Sequence, residues 1–250
     1  MKWRYLFSLI LLLLSTPVGA APPSLNAFTA GAWQHSTSAS SLAATIPNSF
    51  HVNDCMFVIC ATASTSVTWT APTGFSSLWT LQGASSPNYW IGWKRAVAGD
   101  VTGSVTVTCS STGAANNMSA VVVATTNGST TGLCYDGIAT AVSSGSNGAL
   151  VVAATAVNNV NDMMLGIYIQ ETSTSATWFS LSNSVITAND FNQDGWVDVV
   201  SGSGYAATGG TASGSTTNSL AGASGPQAAF MLTVKPAPTP PSIPRAIFLP

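Results

Sequence analysis

The sequence predicts an all-β protein, with a β-sandwich or jelly-roll-like fold and an internal duplication. Segments rich in β-branched and aromatic residues recur along the chain, including CMFVICATA, SVTVTCS, SAVVVATT, MMLGIYIQ and AAFMLTV. Gly, Ser, Asn and Pro separate them, and no long segment repeats apolar residues at helical spacing beside a charged face. Many short strands with frequent turn signals are typical of sandwiches and jelly rolls.

The chain also resembles itself. Four segments of the first part resemble four of the second, in the same order: NDCMFVICATA (53–63) and NGALVVAATAV (147–157), SVTWTAPTGFSSL (66–78) and SATWFSLSNSV (175–185), IGWKRAV (91–97) and DGWVDVV (194–200), AANNMSAVVVATTNG (114–128) and GASGPQAAFMLTVKP (222–236). The preserved order predicts a duplicated domain over 41–236, with halves of approximately 41–130 and 131–236.

Two arrangements of these halves fit the pattern. They form either two separate sandwiches or one larger sandwich in which each half supplies strands to both sheets. Since each half shows only a few clear strands, we favour the single, intertwined sandwich.

The N-terminus has the features of a secretory signal peptide over residues 1–20. Lys2 and Arg4 form a basic start, an apolar run follows, and small residues lead to Ala20. The apolar run is too short for a membrane-spanning helix of about 20 residues. We therefore expect a secreted or extracellular protein, located at a cell surface, in a periplasm or on a virion, that does not span a membrane.

Two further segments flank the duplicated domain. Residues 21–40 form an N-terminal segment, and residues 237–250 form a Pro-rich C-terminal tail. Repeated prolines favour an extended chain, so the tail is interpreted as a spacer or as an unstructured terminus.

Charge is scarce, since charged residues make up 6% of the chain. Outside the predicted signal peptide, the basic residues are Lys94, Arg95, Lys235 and Arg245. Nucleic-acid binding relies on clustered basic side chains that neutralise phosphates, so a nucleic-acid partner is not expected.

The four cysteines, Cys55, Cys60, Cys109 and Cys134, permit two disulfides in an exported chain. Cys55 and Cys60 lie five residues apart on one predicted strand and should point to opposite faces, so they should not pair. The pairing Cys60–Cys109 with Cys55–Cys134 is one hypothesis, and buried free thiols are the alternative.

The order of motifs carries a family resemblance. TWTAPTGFSSL, YWIGWKRAVAGDVTGSVTVTCSSTG, NGALVVAATA and the final AAFMLTVKP follow one another along the chain. This order resembles a loosely defined family of β-sandwich modules in secreted bacterial proteins and tailed-phage structural proteins, over roughly residues 41–236. The resemblance implies an exported or virion module without a defined activity, and it leaves the cysteines and the acidic segment near residue 190 unexplained.

An acidic segment, NDFNQDGWVDVV (189–200), has the spacing of a calcium loop. Alternating acids and an amide supply the oxygens that calcium prefers, and a Gly permits the sharp bend. The candidate ligands are the side chains of Asp190, Asn192, Asp194 and Asp198 and the carbonyl of Trp196. Over residues 190–198 the pattern resembles the calcium loops of FG-GAP repeats. The alternative is a plain hairpin turn, because Asp-Gly is a strong turn signal.

Aromatic residues suggest a glycan platform. Tyr89 and Trp90 lie at a predicted loop–strand junction and are the candidate ligand-binding residues. Strand alternation places Tyr89, Ile91 and Trp93 on one face and Trp90 with Gly92 on the other. Core packing is the alternative, since large aromatic side chains dominate sandwich cores.

Catalytic motifs are absent from the sequence. Only one glutamate, Glu171, and two histidines, His35 and His51, lie beyond the signal peptide, and no nucleophile elbow or zinc-protease motif occurs. We expect a non-enzymatic surface or virion module that binds a glycan or a receptor protein. The alternatives are a structural spacer without a ligand and a secreted glycan hydrolase.

Overall fold

The computed structural model describes residues 23–25, 33–47, 51–83, 87–102, 105–112, 118–138, 142–144, 150–152, 156–157, 162–170, 180–181, 189–192, 197–202, 210–211, 216–218 and 227–238. The predicted signal peptide lies outside these residues, as does the Pro-rich tail from residue 239 onward. Within the described ranges, no helix has the length and apolar character needed to cross a membrane.

Up to residue 130, the described residues form nine strands and one 3₁₀ turn, Asp100–Thr102; the first two strands precede residue 41. The strands are β1 (Ser24–Leu25), β2 (Trp33–Ser36), β3 (Ser41–Thr45), β4 (Cys55–Thr62), β5 (Thr68–Thr70), β6 (Ser76–Leu81), β7 (Asn88–Arg95), β8 (Thr106–Thr112) and β9 (Met118–Thr126).

The second half contains eleven described strands. They are β10 (Tyr135–Ile138), β11 (Val142–Ser144), β12 (Leu150–Val152), β13 (Ala156–Val157), β14 (Met163–Gln170), β15 (Ser180–Leu181), β16 (Asn189–Asn192), β17 (Val197–Gly202), β18 (Gly210–Thr211), β19 (Thr216–Asn218) and β20 (Gln227–Val234). The all-β prediction is confirmed.

Two large antiparallel sheets form the centre of the molecule. The first large sheet has the order β1-β9-β4-β7-β6, with β2 also paired to β9. The second large sheet has the order β10-β20-β14-β17-β16, with β11 also paired to β20. Three small sheets, β3-β8-β5, β12-β19-β15 and β13-β18, complete the described strands.

The first half packs in layers, which explains its long apolar strands. All eight residues of β4 are buried, because one face of this strand packs on the second large sheet and the other on β3-β8-β5. Phe57 and Ile59 belong to the cluster between the large sheets, whereas Met56 and Val58 belong to the other cluster. A strand buried on both faces reads as a continuous apolar run instead of an alternating one.

The predicted intertwining of the halves is wrong. Every described strand of the first large sheet comes from residues before 131, and every described strand of the second comes from residues after it. Each half therefore builds its own large sheet, and the halves meet face to face. Pairing neighbouring segments within one half closes shorter loops, which costs less chain entropy.

The N-terminal segment 21–40 is part of the first large sheet. Its two described strands pair with β9 at different places: Leu25 lies opposite Thr125, and Trp33 lies opposite Val121. The sheet therefore begins before residue 41, which was the predicted start of the domain.

The two halves share one strand topology. The order β9-β4-β7-β6 corresponds to β20-β14-β17-β16, and β3-β8-β5 corresponds to β12-β19-β15. Two of the four sequence matches overlap strands at corresponding places: residues 91–97 with 194–200 fall on β7 and β17, and residues 114–128 with 222–236 fall on β9 and β20. In the second match, most of residues 175–185 lie outside the described residues. The first match is wrong, because the counterpart of β4 is β14 (Met163–Gln170) and not residues 147–157. Descent of the halves from one duplicated ancestor stays a hypothesis.

Candidate functional site

The four cysteines form two disulfides, Cys60–Cys109 and Cys55–Cys134, with Cα–Cα distances of 5.6 and 5.9 Å. This is the pairing named from the sequence. Cys60–Cys109 joins β4 to β8 and so connects the first large sheet to a small sheet. Cys55–Cys134 joins β4 to the residue before β10, and this bond fastens the two halves to each other.

The predicted glycan platform at Tyr89 and Trp90 is not formed. Tyr89 is 5% exposed and Trp90 is 4% exposed. They lie on opposite faces of β7, as the alternation predicted, but both faces are covered: Tyr89 packs between the large sheets and Trp90 packs toward β3-β8-β5. Burial in this apolar setting raises the pKa of Tyr89 above its ordinary value. Neither ring offers a free face to a sugar.

The described parts of the acidic segment form two paired strands at the edge of the second large sheet. Strands β16 and β17 pair in antiparallel fashion, with Asn192 opposite Asp198 and Asp190 opposite Val200. The other two candidate ligands, Asp194 and Trp196, lie outside the described residues. The hairpin backbone thus brings two of the five candidates to one register position, and the calcium question stays a prediction.

A different surface stands out at the end of the sandwich where β4 begins and β7 and β9 end. Three loops meet there, residues 51–54, 96–100 and 127–133, which we call the three-loop end. The Asn53 N–H donates to the Ala96 carbonyl, and the Ala96 N–H donates to the Asp54 carbonyl, both at 2.8 Å. The disulfide Cys55–Cys134 begins next to these loops.

Buried carboxylates fix two of these loops internally. The Asp54 side chain accepts the His51 N–H at 2.7 Å. The Asp100 side chain accepts the Val97 N–H at 2.8 Å, and its other oxygen binds Lys94 Nζ at 2.7 Å. A carboxylate that accepts backbone N–H groups replaces the missing strand partners of a tight loop, so the loop keeps one conformation.

Arg95 holds all three loops together. Its Nη1 donates to the carbonyls of Asn53, at 2.8 Å, and Ser129, and its Nη2 donates to the Gly132 carbonyl at 2.8 Å. Partial burial lowers the pKa of the Arg95 guanidinium. The side chain still carries its charge at physiological pH, because an arginine pKa lies far above neutrality.

Each loop of the three-loop end exposes one aliphatic side chain, among polar residues that are also exposed. Val52, Val97 and Leu133 are 46%, 57% and 50% exposed, one on each loop. Each directly neighbours, along the chain, a residue whose backbone bonds hold the loops together: Asn53, Ala96 and Gly132. Among the described residues, the only other large apolar side chain with comparable exposure is Ile138, in β10.

The basic residues gather at the same end. Lys94 and Arg95 close β7, and Lys235 follows β20, where its backbone bonds to Cys134 and Ser129. Lys94 pairs with Asp100, and Lys235 pairs with Asp136 at 2.8 Å. Within the described part of the chain, Arg95 is the Lys or Arg that has no carboxylate partner.

Sequence reasoning missed this surface. Val52, Arg95 and Leu133 are far apart in the chain, and no motif joins them. The usable signal was the placement of the few basic residues at strand ends, which becomes informative only once the strands are aligned.

Comparison of the chain with family models, with curated proteins and with solved structures finds no match. The argument for function therefore comes from the geometry of the molecule itself.

Proposed function

We propose that the protein is an exported, non-enzymatic β-sandwich module that binds a receptor protein at a surface through the three-loop end. The observation that carries this proposal is the trio Val52, Val97 and Leu133, exposed on loops that Arg95 ties together. Rigid loops lose little entropy on binding, and exposed apolar residues supply the favourable burial.

The nature of the exposed groups favours a protein partner over a glycan. Sugar rings stack on aromatic side chains, and the two aromatic residues proposed for that role are buried. Aliphatic side chains such as Val97 and Leu133 suit the apolar centre of a protein interface.

Two observations support export. The chain carries two disulfides, which form and persist in oxidising compartments. The N-terminal residues also have the pattern of a secretory signal. A cell surface, a periplasm and a virion all agree with both observations.

The test compares single substitutions at matched exposed positions. Val97→Ser and Leu133→Ser remove apolar surface from the three-loop end, and Ile138→Ser removes it elsewhere. Binding of the folded protein is measured on an array of surface proteins and on a glycan array. We expect binding to defined proteins that weakens at least tenfold in Val97→Ser and Leu133→Ser and is unchanged in Ile138→Ser.

Other outcomes would favour the alternative functions. Binding to neither array would favour a spacer without a ligand. Binding to glycans that is indifferent to Val97→Ser and Leu133→Ser would place the functional surface elsewhere. Turnover of a glycan would reopen the hydrolase hypothesis.

The acidic hairpin supports a second, separate proposal, that the protein binds calcium at residues 190–198. The pairing of Asn192 with Asp198 supports it, because the loop between them carries Asp194 and the Trp196 carbonyl. Such an ion would fix the edge hairpin of the second large sheet, and it does not depend on the three-loop end.

A further inference from the structure

We infer that the partner of the three-loop end presents a carboxylate flanked by aliphatic side chains, and that this carboxylate pairs with Arg95. The inference rests on the proposed function and names the chemistry of the partner. It follows from the charge, the hydrogen bonds and the surroundings of Arg95.

The charge of Arg95 is not compensated within the described residues. The other two cations of this end, Lys94 and Lys235, each bind an aspartate whose side chain is only 7% exposed. Arg95 instead binds three backbone carbonyls, which carry partial charges only. A positive charge without a carboxylate partner among the described residues therefore lies at the end that also exposes Val52, Val97 and Leu133.

The guanidinium also keeps donors for a ligand. It has five N–H groups, and three of them serve Asn53, Ser129 and Gly132. Nε–H and one N–H of Nη2 have no acceptor among the described residues. A planar guanidinium can bind both oxygens of a carboxylate through N–H groups on two of its nitrogens, and Nε and Nη2 each keep one.

The apolar neighbours determine what surrounds the carboxylate. Val52 directly precedes Asn53 and Leu133 directly follows Gly132, so two exposed aliphatic residues adjoin, in the sequence, two of the residues whose carbonyls hold the guanidinium. A partner with aliphatic residues beside its acid would cover this surface and exclude water. Exclusion of water strengthens an ion pair that water otherwise screens.

A protein segment fits this surface better than an anionic membrane does. Peripheral membrane binding relies on several basic residues together or on inserted aromatic residues. Among its described residues, the three-loop end offers one Lys or Arg without a carboxylate partner and no exposed Phe, Tyr or Trp. These groups therefore suit an ion pair between Arg95 and a single acidic side chain of a protein partner.

The probes are immobilised peptides with the pattern aliphatic-acid-aliphatic, such as Leu-Val-Asp-Val-Leu and Leu-Val-Glu-Val-Leu. The matched controls replace Asp by Asn and Glu by Gln. The acid-to-amide change lies in the peptide, so it tests the pairing without altering the fold. We expect retention of the full chain on the acid peptides, at least tenfold weaker retention on the amide peptides, and a loss of retention at high salt.

Protein variants separate the two proposals. Val97→Ser should weaken retention on the acid peptides and Ile138→Ser should not. Arg95→Lys keeps the charge without the planar edge and should also weaken it, provided that its melting temperature stays near that of the parent. Vesicles with 30% phosphatidylserine serve as the membrane probe, and we expect no binding to them.

Three results would overturn the inference. Suppose that the acid and amide peptides are retained equally and that Val97→Ser weakens this retention. The partner's carboxylate would then have no role in binding, and the proposed function would stand. Binding to the vesicles but not to the peptides would indicate a lipid partner. No retention on any acid peptide would contradict the inference, and loss of protein-array binding in Ile138→Ser as large as in Val97→Ser would contradict the proposed function itself.

Discussion

The ring of Phe230 in β20 stands edge-on to the ring of Tyr89 in β7, with centroids 4.7 Å apart and planes at 80°. Trp79 approaches the same phenyl ring at 5.1 Å. These contacts cross from the second large sheet to the first, so Phe230 is a central part of the interface between the halves.

Truncating that ring should be costly. Phe230 is fully buried, and Phe230→Ala should lower the free energy of unfolding by about 3–5 kcal/mol, because a cavity opens between two packed sheets. Urea denaturation measures the loss. Leu133→Ala is the control, since Leu133 is half exposed and should change stability by no more than about 0.5 kcal/mol. A loss at Phe230 as small as that of the control would contradict the interface described here.

Gly92 should tolerate no side chain. A Cβ atom there would clash with the Trp90 ring, lying 2.6 Å from its Cζ3 atom, and would be 2.7 Å from the Ser76 carbonyl oxygen. The indole occupies the space above Gly92, so Gly92→Ala should cost about 1–3 kcal/mol through overpacking. Gly99→Ala is the matched control, because a Cβ at Gly99 meets nothing within 4 Å. Thermal melts that fall equally for both variants would argue against the close packing at Gly92.

Removing each disulfide should destabilise the fold. Cys55→Ala with Cys134→Ala, and Cys60→Ala with Cys109→Ala, should each cost about 2–5 kcal/mol in the chain-entropy view. The bridges span 79 and 49 residues, so this view makes the first pair more costly by only about 0.4 kcal/mol. A much larger difference, measured by denaturation of the two double variants, would mean that fastening the halves contributes beyond chain entropy.

Alkaline pH should lower the stability of the fold through ionisation of Tyr89. Burial raises the pKa of its phenol in the folded state above the unfolded value. Between those two pKa values the unfolded chain has released the proton and the folded chain has kept it, so stability falls as pH rises above about 10. Tyr89→Phe removes this group, and its stability should fall less steeply than that of the parent between pH 9 and 11. Identical slopes in urea titrations would show that Tyr89 does not contribute.

Calcium should raise the melting temperature, and a chelator should lower it. A ligand at a hundred times its dissociation constant stabilises a fold by about 2.7 kcal/mol. Asp190→Asn combined with Asp198→Asn should abolish the response, and magnesium at equal concentration is the control for general salt effects. A melt that is indifferent to calcium, chelator and the double substitution would leave the hairpin as a plain turn.

The all-β class could be predicted because strand patterns are local information, and the same alternation excluded a Cys55–Cys60 bond. It did not decide between the two disulfide pairings that remained. Cys55 and Cys60 could be assigned to opposite faces from spacing alone. The same reasoning placed Tyr89 and Trp90 on opposite faces but could not show that both faces are covered, because coverage depends on which sheets stack.

The correspondence between strands of the two halves also could not be predicted from local sequence patterns alone. The matched order of motifs indicated two related parts, yet β4 was matched to residues 147–157 instead of β14. The tripeptide Val-Asn-Asp occurs at 52–54 and again at 160–162, directly before β4 and β14, and would have been the better guide. In the sequence, Arg95 is only one of a few basic residues, because its three carbonyl partners come from loops that the fold alone brings together.

The first and last described strands lie beside each other. Ser24 in β1 pairs with Thr126, the Ala237 N–H donates to the Asn127 carbonyl at 2.8 Å, and Pro236 bridges to Gly128. The described part of the fold thus begins and ends at neighbouring points of one short segment. A unit built in this way accepts circular permutation, and it can be placed within a surface loop of a host protein without separating the two sides of that loop.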